Sequence, residues 1–437
     1  MAWLLIGVAA IAFAGLTWLS WNGSLGLAAI GLLVVTFGAF GFGRRQLSKA
    51  QRKTIDMPAK LAFTVVGIMA LLRHPIEISE GVKAPLYEAI ATYIGQVDTG
   101  TFIFWACVAM AVKFVGVITS AYAWHLLLVG QGIRFPFWQK IMTAFLIGRF
   151  IGTFLPSTIG LDGYTLYEAN RYSNQGARVV TAKGLEKFIG VTGLFLGMIV
   201  TMPFGYSVIT DVTASLGRPD AAPLLAGAIL AVAGGISGAV VIGLVKPALL
   251  VWAMSLVTKL LGGAGDRVTN VLKSFTDAVG AYDGKVGLLM QALFAKFITH
   301  FTTAAVYYFT ALAIGVTTAQ FWPVTFGSTI QILATVLSPT IAGEGAREAF
   351  QALLLSNQLG GVAQAVLSGA LGFIAAEAAT LWGGLFLLVR NPDWRPTFAE
   401  VDGQQVDYAW LADDDGGFDE DAVARIHASA KDNNAAK

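Results

Sequence analysis

Two stretches of this chain set proline, glycine, acid and arginine side by side inside otherwise apolar sequence. The first reads Phe154-Leu155-Pro156-Ser157-Thr158-Ile159-Gly160-Leu161-Asp162-Gly163-Tyr164 and continues to Glu168 and Arg171. The second reads Leu337-Ser338-Pro339-Thr340-Ile341-Ala342-Gly343-Glu344-Gly345 and continues to Arg347 and Glu348. Each has Pro, then Thr-Ile, then an acid-Gly pair, then a glutamate and an arginine three apart. The pairs Glu168/Arg171 and Glu344/Arg347 would share a helix face at that spacing. Proline and glycine stop a helix and free its backbone groups. A helix restarting after the break offers unpaired N–H groups to an anion, and arginine adds charge-assisted contacts to phosphate. The chemistry implied is recognition of a head group. Its candidates are Arg149, Pro156, Ser157, Thr158, Asp162, Glu168 and Arg171 in the first stretch, and Pro339, Glu344, Arg347 and Glu348 in the second. The plainer reading is a pair of loop turns with surface ion pairs.

Ionisable residues inside apolar runs form a second set. Lys113 and His125 lie in 102–128, Lys296 and His300 lie four apart in 286–315, and Glu377 lies in the middle of 363–389. A charge at the bilayer centre is costly unless paired or solvated, so each is a candidate for intramembrane charge or proton coupling. Lys113 and Lys296 have snorkelling as the ordinary alternative. Glu377, in Ala-Ala-Glu-Ala-Ala, is too short to reach an interface and is expected to face a cavity, pairing with Lys296, Arg347 or a ligand cation. No metal or cofactor is expected. The single cysteine, Cys107, excludes an intrachain disulfide and a cysteine cluster, and His125 and His300 have no evident metal partner. The run Asp413-Asp414-Asp415-Gly416 fails as a calcium loop, because the first and twelfth ligand positions would fall on Leu411 and Ala422.

The elements that must position these residues are membrane helices. Hydrophobic residues make up 56% of the chain and charged residues only 13%, against about 25% charged in a soluble domain. Mean hydropathy is +0.67. A helix of about 20 apolar residues spans a bilayer, and spans are read at roughly 2–20, 25–43, 102–128, 138–155, 186–205, 222–245, 286–315, 321–338 and 363–389. Two shorter apolar stretches, 61–72 and 247–261, suit interfacial or re-entrant helices. The fold expected is an all-α integral membrane bundle of about 8–10 helices, some broken or re-entrant, with the two motifs as a pseudo-repeat. Arg44, Arg45, Lys49, Arg52 and Lys53 form the densest basic loop, which places the N-terminus in the cytoplasm. Arg171, Arg178, Lys183 and Lys187 read as a second cytoplasmic loop, and Lys246, Lys259, Arg267, Lys273 and Lys285 as a third. Residues 391–437 carry eleven acidic residues against four basic ones, a net −7 in a chain whose total is +2. The organisation expected is a helical pair, basic loop and interfacial segment in 1–100, a transmembrane domain in 101–390, and an acidic, disordered tail in 391–437.

At its motifs the chain resembles the lysylphosphatidylglycerol synthase transmembrane family, the flippase-like membrane half of multiple peptide resistance factors. The resemblance rests on Leu155 to Gly163, on Leu185-Glu186-Lys187, on Pro339 to Glu348 with its Gly343-x-Gly345-x-x-Glu348 pattern, and on Trp382-Gly383-Gly384-Leu385. It covers roughly 100–390. It departs from the family at Thr165, where the family usually has arginine three residues after the aspartate. The resemblance implies the translocating half without the aminoacyl-transferase half. Together with paired broken helices, a pointer to transport sites, it supports a lipid translocator in a bacterial inner membrane. The translocator would bind an anionic or zwitterionic phospholipid, or another amphiphile, and no nucleic acid. Alternatives are a carrier for a small polar solute, an accessory protein for a lipid- or glycan-synthesis enzyme, and a membrane enzyme on lipid head groups. No catalytic motif speaks for the last.

Overall fold

The computed structural model describes residues 2–22, 27–79, 82–154, 159–246, 248–249, 276–337, 343–389 and 396–406. It is a multi-pass helical bundle. Among the described residues, five helical stretches are long and apolar enough to cross a membrane: Ala2–Leu19, Thr99–Gly130, Gly176–Thr201, Pro219–Val245 and Val362–Val389. The chain forms two compact units. One comprises Met1–Val115, Leu196–Gly234 and His300–Ala379, and the other Gly116–Phe195, Gly235–Thr299 and Thr380–Lys437.

In the first unit, α1 (Ala2–Trp21) packs along α2 (Leu27–Arg45). Gly43 permits this, since a Cβ there would meet the Ala2 carbonyl at 3.0 Å. The basic loop ends at Ser48, which caps α3 (Lys49–Arg73) in a reciprocal capping box with Gln51. Arg44 grips Asp56 at 2.6 Å. The stretch 61–72, read above as a separate short segment, is the second half of this 25-residue helix. A hairpin follows, β1 (Pro75–Ser79) with β2 (Val82–Pro85). Next comes α4 (Leu86–Ile94), whose Leu86 is buried against Ala363 and Val366.

Asp98 starts α5 (Thr99–Gly130) by accepting the Thr101 N–H at 2.7 Å. That backbone bond holds its carboxyl below the usual carboxylate range. The second unit takes the rest of α5 and then β3 (Ile133–Arg134), a π-helical turn (Phe137–Met142), α6 (Thr143–Phe154) and α7 (Ile159–Ser173). The expected span 138–155 is therefore a π turn followed by a 12-residue helix, too short to cross alone at 1.5 Å per residue. The expected span 186–205 begins ten residues earlier, in α8 (Gly176–Thr201), so Lys183 and Lys187 lie on a helix and not in a loop.

The remaining helices are α9 (Tyr206–Ser215), α10 (Ala222–Val245), α11 (Val286–Ala313), α12 (Phe321–Leu337), α13 (Ala346–Leu359), α14 (Val362–Leu381) and α15 (Gly383–Val389). The segment 247–261 lies almost wholly outside the described residues. Residues 396–406, within the stretch read as a disordered tail, are ordered instead. They carry β4 (Glu400–Val401) and β5 (Gln404–Gln405), and β4 pairs with β3. Arg178 anchors this hairpin through Asp402 at 2.8 Å. Asp-rich composition concealed a strand pair short enough to be held by one neighbouring strand and one ion pair.

Candidate functional site

The first motif belongs to the second unit. Leu155, Pro156, Ser157 and Thr158 lie outside the described residues, between the end of α6 and the start of α7. The two helices fold against one another through glycine. A Cβ on Gly160 would come within 2.5 Å of the Gly152 Cα, closer than any side chain tolerates, so the backbones approach this closely only because residue 160 lacks one. The family's Gly383-Gly384 pair does the same for α15. A Cβ on Gly383 would meet the Leu146 carbonyl at 2.3 Å, and one on Gly384 the Phe150 ring at 2.8 Å.

Asp162, in the first turn of α7, is the outer member of a buried charge network. It accepts from Lys187 and lies 3.9 Å from Lys183. Lys183 donates to Glu186 at 2.6 Å, one turn along α8. The other Glu186 oxygen accepts from Lys296 of α11 at 2.5 Å, and Lys296 also donates to Ser120 Oγ at 2.8 Å. The Lys183 ammonium sits 3.9 Å from the ring centre of the fully buried Trp124. Gly193 sets the spacing of α8 and α11, since a Cβ there would meet the Lys296 carbonyl carbon at 2.8 Å. The side chains of Lys183, Glu186 and Lys296 are each less than a tenth exposed. The network holds three ammoniums (Lys183, Lys187, Lys296) against two carboxylates (Asp162, Glu186), so it carries one positive charge in excess.

Glu168 and Arg171, expected to act together, go to different partners. Glu168 takes Lys140 of the π turn in a buried ion pair, and the Lys140 ammonium lies 3.4 Å from the centre of the Tyr172 ring. Arg171 reaches the Tyr167 hydroxyl at 3.3 Å. Arg149 approaches Thr380 Oγ1 at 3.5 Å. Thr165, in place of the family's arginine, is buried and donates back to the Leu161 carbonyl at 2.8 Å. The cations beside Asp162 are lysines from the next helix.

The second motif belongs to the first unit. Pro339 lies outside the described residues. Gly343 and Gly345 both have left-handed backbones, at φ +75° and +79°, and a Cβ on Gly343 would strike the Thr335 methyl at 2.0 Å. The glycines of this pattern thus serve the turn itself. Glu348 caps the new helix by accepting the Gly345 N–H at 2.7 Å, as the helix N-terminus favours. Arg347 is buried and forks onto Glu348 at 2.5 and 2.8 Å. Its guanidinium lies 4.1 Å from the centre of the Phe373 ring. The carboxylate holding Arg347 is thus its chain neighbour's, and not that of Glu344, three residues away, because the capping carboxylate is already placed beside it. Glu344 and Glu377 are both half-buried, and Glu377 is one turn beyond Phe373 on the same face of α14.

Lys296, one of the partners expected for Glu377, is held by Glu186 from α8. Lys113 is buried and donates to Thr303 Oγ1 at 3.0 Å. It sits one turn past the packed set Ala109, Val306 and Ala375. Lys296 and His300, four apart on α11, fall in different units. Among the described residues, no group of three or more His, Cys, Asp or Glu is placed to hold a metal ion.

Sequence reasoning missed Lys140 as a site residue and took Lys183 and Lys187 for loop charges. The available signals were a lysine inside an apolar run and the i, i+3 spacing of Lys183 with Glu186, which puts both on one helix face.

Long apolar helices that hold buried ion pairs define a polytopic membrane protein. Residues 59–387 match the family described as the lysylphosphatidylglycerol synthase TM region, and the chain belongs to that family. The match begins at residue 59, so it takes in the second half of α3, the β1–β2 hairpin and α4, well before the boundary at 101 read from the motifs. No curated protein and no solved structure matches the chain.

Proposed function

We propose that the protein is a flippase-like lipid translocator whose phosphate-recognising element is the Lys183–Glu186–Lys296 network with Asp162 and Lys187. The observation that carries this reading is the charge balance. Three ammoniums face two carboxylates, with Lys183, Lys296 and Glu186 buried where charge is expensive and Lys187 half-exposed at the rim. One phosphodiester restores neutrality and accepts the remaining ammonium hydrogens. Lys187, at the half-exposed end of the network, is the group positioned to meet a head group first.

The second motif, in the first unit, has the complementary part. Glu344, Glu348 and Glu377 outnumber Arg347, so this region suits a cationic group or a coupling proton. The reading places the chain in a bacterial inner membrane, with the basic helix ends around Arg44 and Lys53 and the N-terminus on the cytoplasmic side.

The test is leaflet asymmetry of labelled phosphatidylglycerol and phosphatidylcholine in proteoliposomes, with and without a proton gradient. Wild type is expected to redistribute the anionic lipid. Lys296→Met, which leaves the neutral Lys183–Glu186 pair, is expected to lose that activity while still inserting. Glu377→Gln is expected to lose any dependence on the gradient. Unchanged lipid distribution with wild-type protein would overturn translocation, leaving the solute-carrier and accessory readings.

A further inference from the structure

The second unit contains a groove that the lysine network does not touch. One chamber, of about 370 Å³, is walled by Ile147 and Phe386 and has Lys140 and Glu168 in its lining. Its neighbour, of about 810 Å³, has Arg134, His125 and Glu400 in its lining. Gln139 and Thr397 line both chambers, and the Thr397 hydroxyl donates to Gln139 Oε1 at 2.9 Å. Both volumes fall in the range of sites for small ligands. Thr397, Phe398 and Glu400 come from the hairpin segment, which lies beyond the family-matched residues.

Each chamber holds one cation and one carboxylate. Lys140 and Glu168 are ion-paired with side chains under a twentieth exposed. Arg134 and Glu400 are cross-strand partners in the β3–β4 ladder, a spacing that favours opposite charges. The groove is therefore charge-balanced, unlike the lysine network. At the buried Lys140–Glu168 pair, a ligand with a net charge would leave a charge uncompensated, whereas one carrying both signs can exchange partners with that pair and leave the sum at zero. The apolar wall beside that pair asks for a hydrocarbon segment.

We propose that this groove binds an amphiphile with a zwitterionic ammonium–phosphate head, the phosphate going to Lys140 and the ammonium to Glu168, with its chain against Ile147 and Phe386. It is a site separate from the one proposed for the anionic lipid.

The test uses the full chain, purified in a neutral maltoside. Binding of lyso-phosphatidylcholine, lyso-phosphatidylglycerol and free phosphocholine is followed by native mass spectrometry. Wild type is expected to hold lyso-phosphatidylcholine at least about tenfold more tightly than free phosphocholine, which lacks the chain. Ile147→Trp, which fills the small chamber, is expected to weaken lyso-phosphatidylcholine about tenfold or more and leave lyso-phosphatidylglycerol unchanged. Should that variant not fold, Val389→Trp obstructs the same chamber from an exposed position. Glu168→Gln, which leaves Lys140 uncompensated, is expected to turn the preference toward lyso-phosphatidylglycerol. Lys183→Met with Lys296→Met is expected to weaken the anionic lysolipid alone, which separates the two sites. Two results overturn the proposal: lyso-phosphatidylcholine that does not bind or is indifferent to both the chamber-filling and Glu168 variants, and free phosphocholine that binds as tightly as the lysolipid.

Discussion

The two broken-helix regions share an order of residues and differ in what surrounds it. Around Asp162, the facing helices α8 and α11 bring Lys183, Lys187 and Lys296, and the balance is positive. Around Gly343, the turn brings Glu344 and the helix that follows brings Arg347 and Glu348, and the balance tips to acid. The motif thus sets where the backbone breaks, while the neighbouring helices set the sign of the charge there. The sharpest way to break this contrast is Glu186→Gln. It removes the carboxylate between two buried ammoniums, and breaking a buried pair from one side costs about 3–5 kcal/mol. Thermal unfolding in detergent should show the largest loss of any single change named here. Adding Lys296→Met should recover much of it. A Glu186→Gln protein as stable as wild type would mean that the ammoniums are not held together as described.

The regions also use glycine differently, and the next effects are smaller. In the first motif, Gly160 is a contact residue, and Gly160→Ala drives a methyl into the Gly152 backbone. In the second, Gly343 is a turn residue with a left-handed backbone, and Gly343→Ala adds strain to a clash. Overpacking of this kind costs about 1–3 kcal/mol. Gly163→Ala is the control: nothing lies within 4 Å of its added Cβ, and alanine in a helix gains up to about 1 kcal/mol over glycine. Melting temperatures should fall for the first two and hold or rise for the third. Equal losses in all three would dissolve the distinction between contact and turn.

The membrane class was legible because composition and hydropathy add over hundreds of residues. The helix breaks were legible because proline and glycine act locally. The partners were not, because a charge inside a bundle is paired by a helix distant in sequence. Lys296 meets Glu186 across 110 positions, and Lys140 meets Glu168 across 28. Lysine density also misled the loop reading at Lys183, since a charge count cannot separate a loop lysine from one buried against Trp124. The hairpin in 396–406 stayed hidden because two-residue strands have no periodicity to read.

Arg347→Lys sharpens the comparison at moderate size. A lysine in the second region keeps the charge and loses both the two-pronged grip on Glu348 and the guanidinium contact with the Phe373 ring. A loss of about 1–2 kcal/mol is expected, in the range for a charge-assisted hydrogen bond. The first region is built on point charges and should respond the other way round. Lys296→Arg brings a bulkier fork into the buried space beside Ser120 and Glu186, so it should be disturbed by size and not by loss of donors. Unfolding midpoints of the two reciprocal variants measure this directly, and indifference to both would mean that only charge matters in either region.

The smallest effect concerns position. Arg178 and Asp402 make a well-formed pair at 2.8 Å, of the same kind as the buried ones, but their side chains are 39% and 61% exposed. Water already solvates both ions and salt screens them, so such a pair contributes at most about 1 kcal/mol. Arg178→Ala is therefore expected to lower the unfolding midpoint only slightly, and less at high salt than at low. Glu186 and Asp402 each accept from a cation at nearly the same distance, yet their removal should differ severalfold. A large, salt-independent loss from Arg178→Ala would show that the hairpin shields this pair from water, and that burial alone does not rank the ionic contacts of this unit.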